Sequence, residues 1–375
     1  MKARDYLHLA NPAVSDLVPY TPGKPVEELE RELGISDSIK LASNENPLGA
    51  SPLVAEAIQK TLDGLNLYPD ANGFYLKQAL SEHHDLPPDC ITLGNGSNDI
   101  LVFLAQAFLN PEVAAVYSQY AFAVYPIVTQ MMGAKHQVVP ALPIDHPMAL
   151  GHDLRAMYAA VDDDTRLVFI ANPNNPTGTW LNQERLIDFV GSLPPHVICV
   201  IDEAYTEYGQ TDVLGDASTW LDRFPNLVVS RTFSKAYGLA ALRVGYALAN
   251  PGITDLLNRV RPPFNVSVLG LEAARVALQD QAFIEKSRAM NEAGLAQLKE
   301  GLSALGVDVS PSAANFVLAH FGRPVDEINR GLMKQGVIVR PVGNYGLDQS
   351  LRITIGTPEQ NTRLLNALAS VLEKM

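Results

Sequence analysis

Cysteine is scarce: the 375 residues include only 2, Cys90 and Cys199. They form no C-x-x-C motif and cannot build a disulfide framework, so two buried free thiols in a reducing compartment are expected. Positive charge is also in short supply. Against 41 Asp and Glu stand 28 Lys and Arg, a net charge of −13. Such a surface repels phosphate backbones and anionic headgroups, which excludes general nucleic-acid or membrane binding as an expectation. A small phosphate can still be held by a few local basic residues. Long apolar runs are missing: Ile100 to Leu109 is broken by Gln106, far short of the ~20 residues that span a bilayer. Met1 to Tyr20 lacks the basic stretch and apolar core of a secretory signal. Internal repeats and low-complexity tracts are missing too. What is present, 47% hydrophobic and 18% charged residues, is ordinary globular composition. A cytoplasmic protein is expected.

Short β-branched runs alternate with longer helical patterns. Strands are predicted at Ala114–Tyr117, Leu167–Ile170, Ile198–Ile201 and Leu227–Ser230, and helices at Asn98–Leu109, Gln183–Val190 and Gly252–Arg259. Apolar strands separated by amphipathic helices imply an α/β fold, with a mostly parallel sheet covered on both faces. Ligands of such sheets collect beyond the carboxyl ends of the strands. Residues 1–45, with Pro12, Pro19, Pro22 and Pro25, read as an arm that ends in part of a small domain. Residues 46–262 form the large domain. Pro262 and Pro263 mark a boundary. Residues 263–375 then read as a small α+β domain: a long helical run from Ser267 to about Leu305, strands at Phe316–Ala319, Val337–Arg340 and Leu351–Ile355, and a closing helix.

Four segments at predicted strand ends carry chemistry. Lys235 follows an apolar strand and sits among small and hydroxyl residues. A desolvated lysine has a lowered pKa and can attack an aldehyde; a lysine snorkelling from a strand end is the plainer reading. Thr232, Ser234 and Arg243 lie close by in sequence and suit a phosphate. Asp202 ends a strand expected to be buried, so its carboxylate needs a partner: a protonated ring nitrogen, a structural cation or a metal. Tyr205 follows and can donate to a phenolate oxygen. In Asn172–Gly178, two Asn-Pro steps and a glycine force a stiff turn that presents Asn175. Gly96, Ser97 and Asn98 open an apolar helix, where backbone N–H groups and the helix dipole favour an anion; simple helix capping would use the same residues. A phosphate cradle, a nucleophilic lysine, a buried carboxylate and phenolate donors are together what pyridoxal 5′-phosphate requires.

The chain resembles the fold-type I pyridoxal-phosphate aminotransferases of class II, and within them the histidinol-phosphate aminotransferases of histidine biosynthesis. The motifs that carry the resemblance run from Leu41–Gly49 through Tyr68, Gly94–Asp99, Asn172–Gly178, Asp202–Tyr205, Thr232–Lys235 and Leu239–Gly245 to Leu351–Gly356. It implies a large domain with a mostly parallel sheet and a small α+β domain. It implies that Lys235 bonds the cofactor covalently and moves the substrate's α-proton. Asp202 would pair with the ring nitrogen, and Asn175 and Tyr205 with the ring's O3′. Ser97, Thr232, Ser234 and Arg243 would hold the phosphate, supported by Gly96 and Asn98, with Tyr120 stacked on the ring. Tyr120 follows Ser118 and Gln119, without the proline often found before the stacking aromatic. Tyr68 would reach the phosphate from a second subunit, which makes the protein a homodimer with shared sites.

The same resemblance places Arg340 and Arg352 on the substrate, helped by Tyr20 and Asn44. Two guanidinium groups can bind a phosphate dianion through several charge-assisted bonds, and could also accept a carboxylate of glutamate. The implied reaction is transamination between histidinol phosphate and 2-oxoglutarate, giving imidazole-acetol phosphate and glutamate, with no metal. Alternatives with nearly the same motifs are an aromatic amino acid aminotransferase and a decarboxylase of phosphorylated threonine. A regulatory cofactor-binding domain is a further alternative, disfavoured as an expectation by the net charge of −13 and by fold motifs that begin near residue 40 with no basic helix-turn-helix pattern before them.

Overall fold

The alternating apolar strands assemble into one seven-stranded sheet. The computed structural model describes residues 6–209 and 211–375; the first five residues of the expected arm lie outside them. In chain order the strands are β1 (Ile91–Gly94), β2 (Ala114–Ser118), β3 (Lys135–Val139), β4 (Thr165–Ala171), β5 (Ile198–Asp202), β6 (Leu227–Thr232) and β7 (Gly245–Ala249). Their spatial order is β1-β7-β6-β5-β4-β2-β3. All neighbours are parallel except that β7 runs antiparallel to both β1 and β6.

The period of two along each strand sends alternate side chains to opposite faces. Val168, Ile170, Cys199, Ile201 and Val229 join one apolar core, while Leu167, Phe169, Val200 and Val228 join another. Helices such as Ser97–Phe108 and Val124–Met131 cover the second face. With both faces covered, a charge in these strands is tolerated only near an end or when paired, as buried Arg231 is with Glu203 and Asp216. The ends of β4, β5 and β6 carry Asn172–Gly178, Asp202 and Thr232–Lys235, all at the same edge of the sheet.

A second, antiparallel sheet is built from β8 (Asp308–Val309), β9 (Phe316–His320), β10 (Arg340–Val342) and β11 (Leu347–Thr354), in the order β10-β11-β9-β8. Its apolar face packs with the helices Gln281–Ala304, Asp326–Lys334 and Pro358–Leu372 in a separate core.

Two expectations change here. The predicted run from Ser267 to Leu305 divides at Asp280, which ends the helix Val268–Gln279 and caps the next by accepting from the Phe283 N–H. The strand expected at Val337–Arg340 divides as well. Val337 and Ile338 pair in parallel with Ile39 and Lys40, while Arg340 starts β10. The proline-rich arm is therefore tied down at its end. Its helix Val26–Leu33 buries Leu29 with Ala42 and Ile338. Among the described residues no helix is long and apolar enough to cross a membrane.

Candidate active site

A cavity of about 470 Å³ opens at the carboxyl edge of the large sheet, between it and the second sheet. Lys235, Asp202, Tyr205, Asn175, Thr232, Ser234, Ser97, Asn98, Arg243, Asn44, Tyr20, Arg340 and Arg352 all line it. Residues scattered over most of the chain thus converge on one volume.

Lys235 lies just past β6, and its Nζ donates to the Ser43 carbonyl at 3.0 Å. Burial, with the Arg352 cation adding to it, brings its pKa down to about 8. A usable fraction of free amine therefore exists near neutral pH. The loop is pressed tightly against the Leu41–Gly49 segment. Gly238 has φ +71°, and a Cβ there would sit 1.9 Å from the Gly49 carbonyl oxygen, so only glycine permits this approach.

Asp202 ends β5 almost wholly buried. Burial raises its pKa to about 6, opposed by a hydrogen bond from the Tyr125 hydroxyl to Oδ2 at 2.9 Å. Oδ1 is buried with no hydrogen-bond partner. An orphaned carboxylate oxygen costs free energy, and a donor such as a protonated heterocycle would satisfy it. Among the described residues no lysine or arginine pairs with Asp202.

The helix Ser97–Phe108 starts without a side-chain cap, and Gly96 holds the capping position. Its first N–H groups are left for a ligand, as an anion site requires. Arg243 packs over this turn: a Cβ on Gly96 would lie 2.3 Å from its Nη2. Arg243 also donates from Nη1 to Ser234 Oγ at 3.2 Å. The Ser234 N–H in turn donates to Thr232 Oγ1 at 3.1 Å. These groups form a concave site for a phosphate monoester.

Asn175 is oriented by Arg352, whose Nη1 donates to Asn175 Oδ1 at 2.6 Å. A guanidinium only donates, so the oxygen of the amide faces it and Nδ2 remains a donor. Both Asn172-Pro173 and Asn175-Pro176 are cis. Tyr205 accepts from Asn44 Nδ2 at 2.9 Å, and Asn44 Oδ1 accepts from the Thr354 hydroxyl. Burial pushes the Tyr205 phenol up to about 12, so its proton stays available for donation.

Arg340 and Arg352 stand opposite one another in the β10–β11 pair. Arg340 donates to the Thr21 carbonyl and lies over the Tyr20 ring at 5.7 Å. Arg352 donates to the Ala42 carbonyl and leaves Nε buried without a partner.

Three expected residues do not line this cavity: Gly96, which sits beside Arg243 at the start of the helix Ser97–Phe108, Tyr120 and Tyr68. The Tyr120 side chain packs beside Leu150, Leu318 and Val342, and its carbonyl accepts from Asn174. On this turn the aromatic that reaches the cavity wall is Phe122. The chain turns after β2, and residue 122 rather than 120 faces inward; the missing proline was the sign that the register of this turn differs. Tyr68 is 83% exposed and stacks on Phe264 with ring centroids 4.8 Å apart, beside a separate depression. Sequence reasoning also missed Tyr125, the hydroxyl partner of Asp202. Its position three residues after Phe122, on the first turn of Val124–Met131, was the available signal.

Residues 36–368 match the family model for class I and II aminotransferases. The chain is 55% identical over 372 residues to histidinol-phosphate aminotransferase 2 of Pseudomonas fluorescens, covering 99% of each chain. It is 53% identical to the protein of the same name in Pseudomonas aeruginosa, covering 98% of this chain and 99% of that one. Its fold superposes with a TM-score of 0.89 on the crystal structure of histidinol-phosphate aminotransferase from Sinorhizobium meliloti in complex with pyridoxal 5′-phosphate. That chain is 29% identical, with 97% of this chain and 98% of that one covered.

Proposed function

Since the chain belongs to the class I and II aminotransferases, and among them to the histidinol-phosphate aminotransferases, we propose that its cavity seats pyridoxal 5′-phosphate between Lys235 and Asp202 and binds the substrate phosphate at Arg340 and Arg352. The reaction is transamination: L-histidinol phosphate and 2-oxoglutarate give imidazole-acetol phosphate and L-glutamate. The observation that carries the site assignment is that a desolvated lysine, a buried carboxylate with an orphaned Oδ1 and two registered arginines share one cavity.

When bound, the cofactor supplies an aldehyde to join the amine and a protonated ring to take up negative charge from the substrate α-carbon. The residues of this chain do the rest. Lys235 Nζ, kept partly neutral by burial, would hold the aldehyde and, when free of it, would be the base for the α-proton. Asp202, with its buried and unpartnered Oδ1, would keep the ring nitrogen protonated. Asn175 Nδ2 and the Tyr205 hydroxyl bond the ring's O3′. Ser97, Asn98, Thr232, Ser234 and Arg243 hold the phosphate, and Gly96 leaves room for Arg243. Phe122, in the cavity wall, takes the stacking role first assigned to Tyr120. Arg340, Arg352, Tyr20 and Asn44 place the substrate, with the arginines also receiving a carboxylate of glutamate in the other half-reaction.

The active unit is a homodimer in which Tyr68 of one protomer completes the phosphate site of the other. Tyr68 and Phe264 lie outside their own chain's cavity, and Leu67, Phe74 and Tyr75 are 67%, 53% and 74% exposed on the same stretch of chain. Apolar exposure of that extent supports an interface.

A substrate panel tests the reading. Histidinol phosphate is expected to be a far better amino donor than phenylalanine, and phosphothreonine is expected to lose no carbon dioxide. Preference for phenylalanine, or decarboxylation, would overturn the substrate assignment.

A further inference from the structure

Tyr125 is wholly buried on the first turn of the helix Val124–Met131. Its ring stacks on Phe169 of β4, with centroids 4.7 Å apart and planes 9° from parallel. It meets Phe122 edge-on at 5.9 Å. A phenylalanine would fill this volume and make the same ring contacts. The hydroxyl adds a buried polar atom that has to be satisfied, and its hydrogen bond goes to Asp202 Oδ2.

A carboxylate has two oxygens, each able to accept. The Tyr125 bond occupies Oδ2 and leaves Oδ1 as the buried, unpartnered acceptor. It also opposes burial, which by itself favours the neutral acid. We propose that Tyr125 is a positioning residue for the cofactor ring: its hydroxyl fixes the Asp202 carboxylate as an anion in one orientation, with Oδ1 reserved for the ring's N–H. The aromatic wall at Phe122 and the carboxylate are thereby held by one side chain. This rests on the cofactor seat proposed above.

The test compares two ligands on the cofactor-free full chain: pyridoxal 5′-phosphate, and its 1-deaza analogue in which carbon replaces the ring nitrogen. Equilibrium affinities are measured for the wild type, Tyr125→Phe, Asp202→Asn and the double variant, with circular dichroism to confirm folding. Tyr125→Phe is expected to weaken the natural cofactor roughly tenfold, the scale of one hydrogen bond to a charged group, and to leave the deaza analogue unchanged. In the Asp202→Asn background Tyr125→Phe is expected to add nothing. Equal losses for both ligands, or additive losses in the double variant, would mean a merely structural tyrosine and overturn the inference. Should Tyr125→Phe fail to fold, the wild type with isotope-labelled Tyr125 decides. Its C–O stretch is expected to shift on adding the cofactor and not the analogue, and identical spectra overturn the inference. A wild-type chain that takes up neither compound is a different failure, that of the seat itself, and removes the inference with it.

Discussion

Arg340 and Arg352 are direct cross-strand partners in the β10–β11 pair, so two cations face the same side of one sheet. Like charges placed so are unfavourable without an anion, and Arg352 is buried, with its pKa lowered by desolvation. A phosphate dianion between them removes the repulsion. Arg340→Ala is therefore expected to raise KM for histidinol phosphate between ~10-fold and ~100-fold, the range for hydrogen bonds to charged groups, while leaving the slow reaction of unphosphorylated histidinol unchanged. Steady-state kinetics with both donors checks this. Equal effects on the two would remove the arginine pair from phosphate recognition.

The turn after β2 makes a separate prediction. Phe122 lines the cavity and Tyr120 does not. Phe122→Ala is expected to weaken cofactor binding roughly tenfold, as the loss of one aromatic contact of about 0.5–1.5 kcal/mol plus its buried area. Tyr120→Ala is expected to leave that affinity unchanged. Fluorescence titration of the cofactor-free chain distinguishes them, and the reverse pattern would restore Tyr120 to the ring.

Lys235 sets a pH dependence. Its pKa is brought down to about 8 by burial and Arg352, and the neutral amine is the nucleophile. Below pH 8 the rate of cofactor uptake is expected to rise about tenfold per pH unit and to level off above it. The sign for stability follows from the same shift. Between about 8 and the ordinary 10.5 the unfolded chain binds a proton at this site that the folded chain does not, so the cofactor-free protein gains stability as pH rises through that window. Lys235→Met is expected to abolish this gain, read by denaturant titration at pH 8 and pH 10. A gain retained in the variant would assign it to another group.

Much of this was legible in the sequence because the strands are apolar throughout and the polar residues fall at their ends. β2, β4, β5 and β6 lie within about two residues of the predicted runs. Asp202, Lys235 and Asn175 announced themselves as charged or stiff elements where a buried sheet stops. β1, β3 and β7 were not predicted. β1 and β7 contain glycine and lack a long β-branched run, and β3 is an edge strand with exposed Lys135 and His136. The structure lines the cavity with Phe122 and not Tyr120, which the sequence hides because one tyrosine and one phenylalanine, two residues apart on an irregular turn, look alike until the backbone decides which faces inward. The splitting of Val337–Arg340 was hidden for a similar reason: the same apolar run serves two different partners, Ile39–Lys40 and β11.

The proposed sharing of sites between two protomers predicts complementation between two inactive chains. Lys235→Ala and Tyr68→Ala homodimers are each expected to lose most activity. In a mixed dimer one site carries both defects and the other carries neither. Co-refolding an equal mixture is therefore expected to recover substantial activity, assayed against the unmixed variants. No recovery would place Tyr68 outside its partner's site.

The most direct test of the account is the location of the covalent bond to the cofactor. The purified enzyme is loaded with pyridoxal 5′-phosphate, reduced with borohydride and digested, and the labelled peptide is sequenced by mass spectrometry. The account predicts a single phosphopyridoxyl group on Lys235, and an unlabelled but folded Lys235→Ala variant with turnover reduced by at least ~10²-fold, the low end for losing a general base. A label on another lysine, or undiminished turnover by Lys235→Ala, would contradict it.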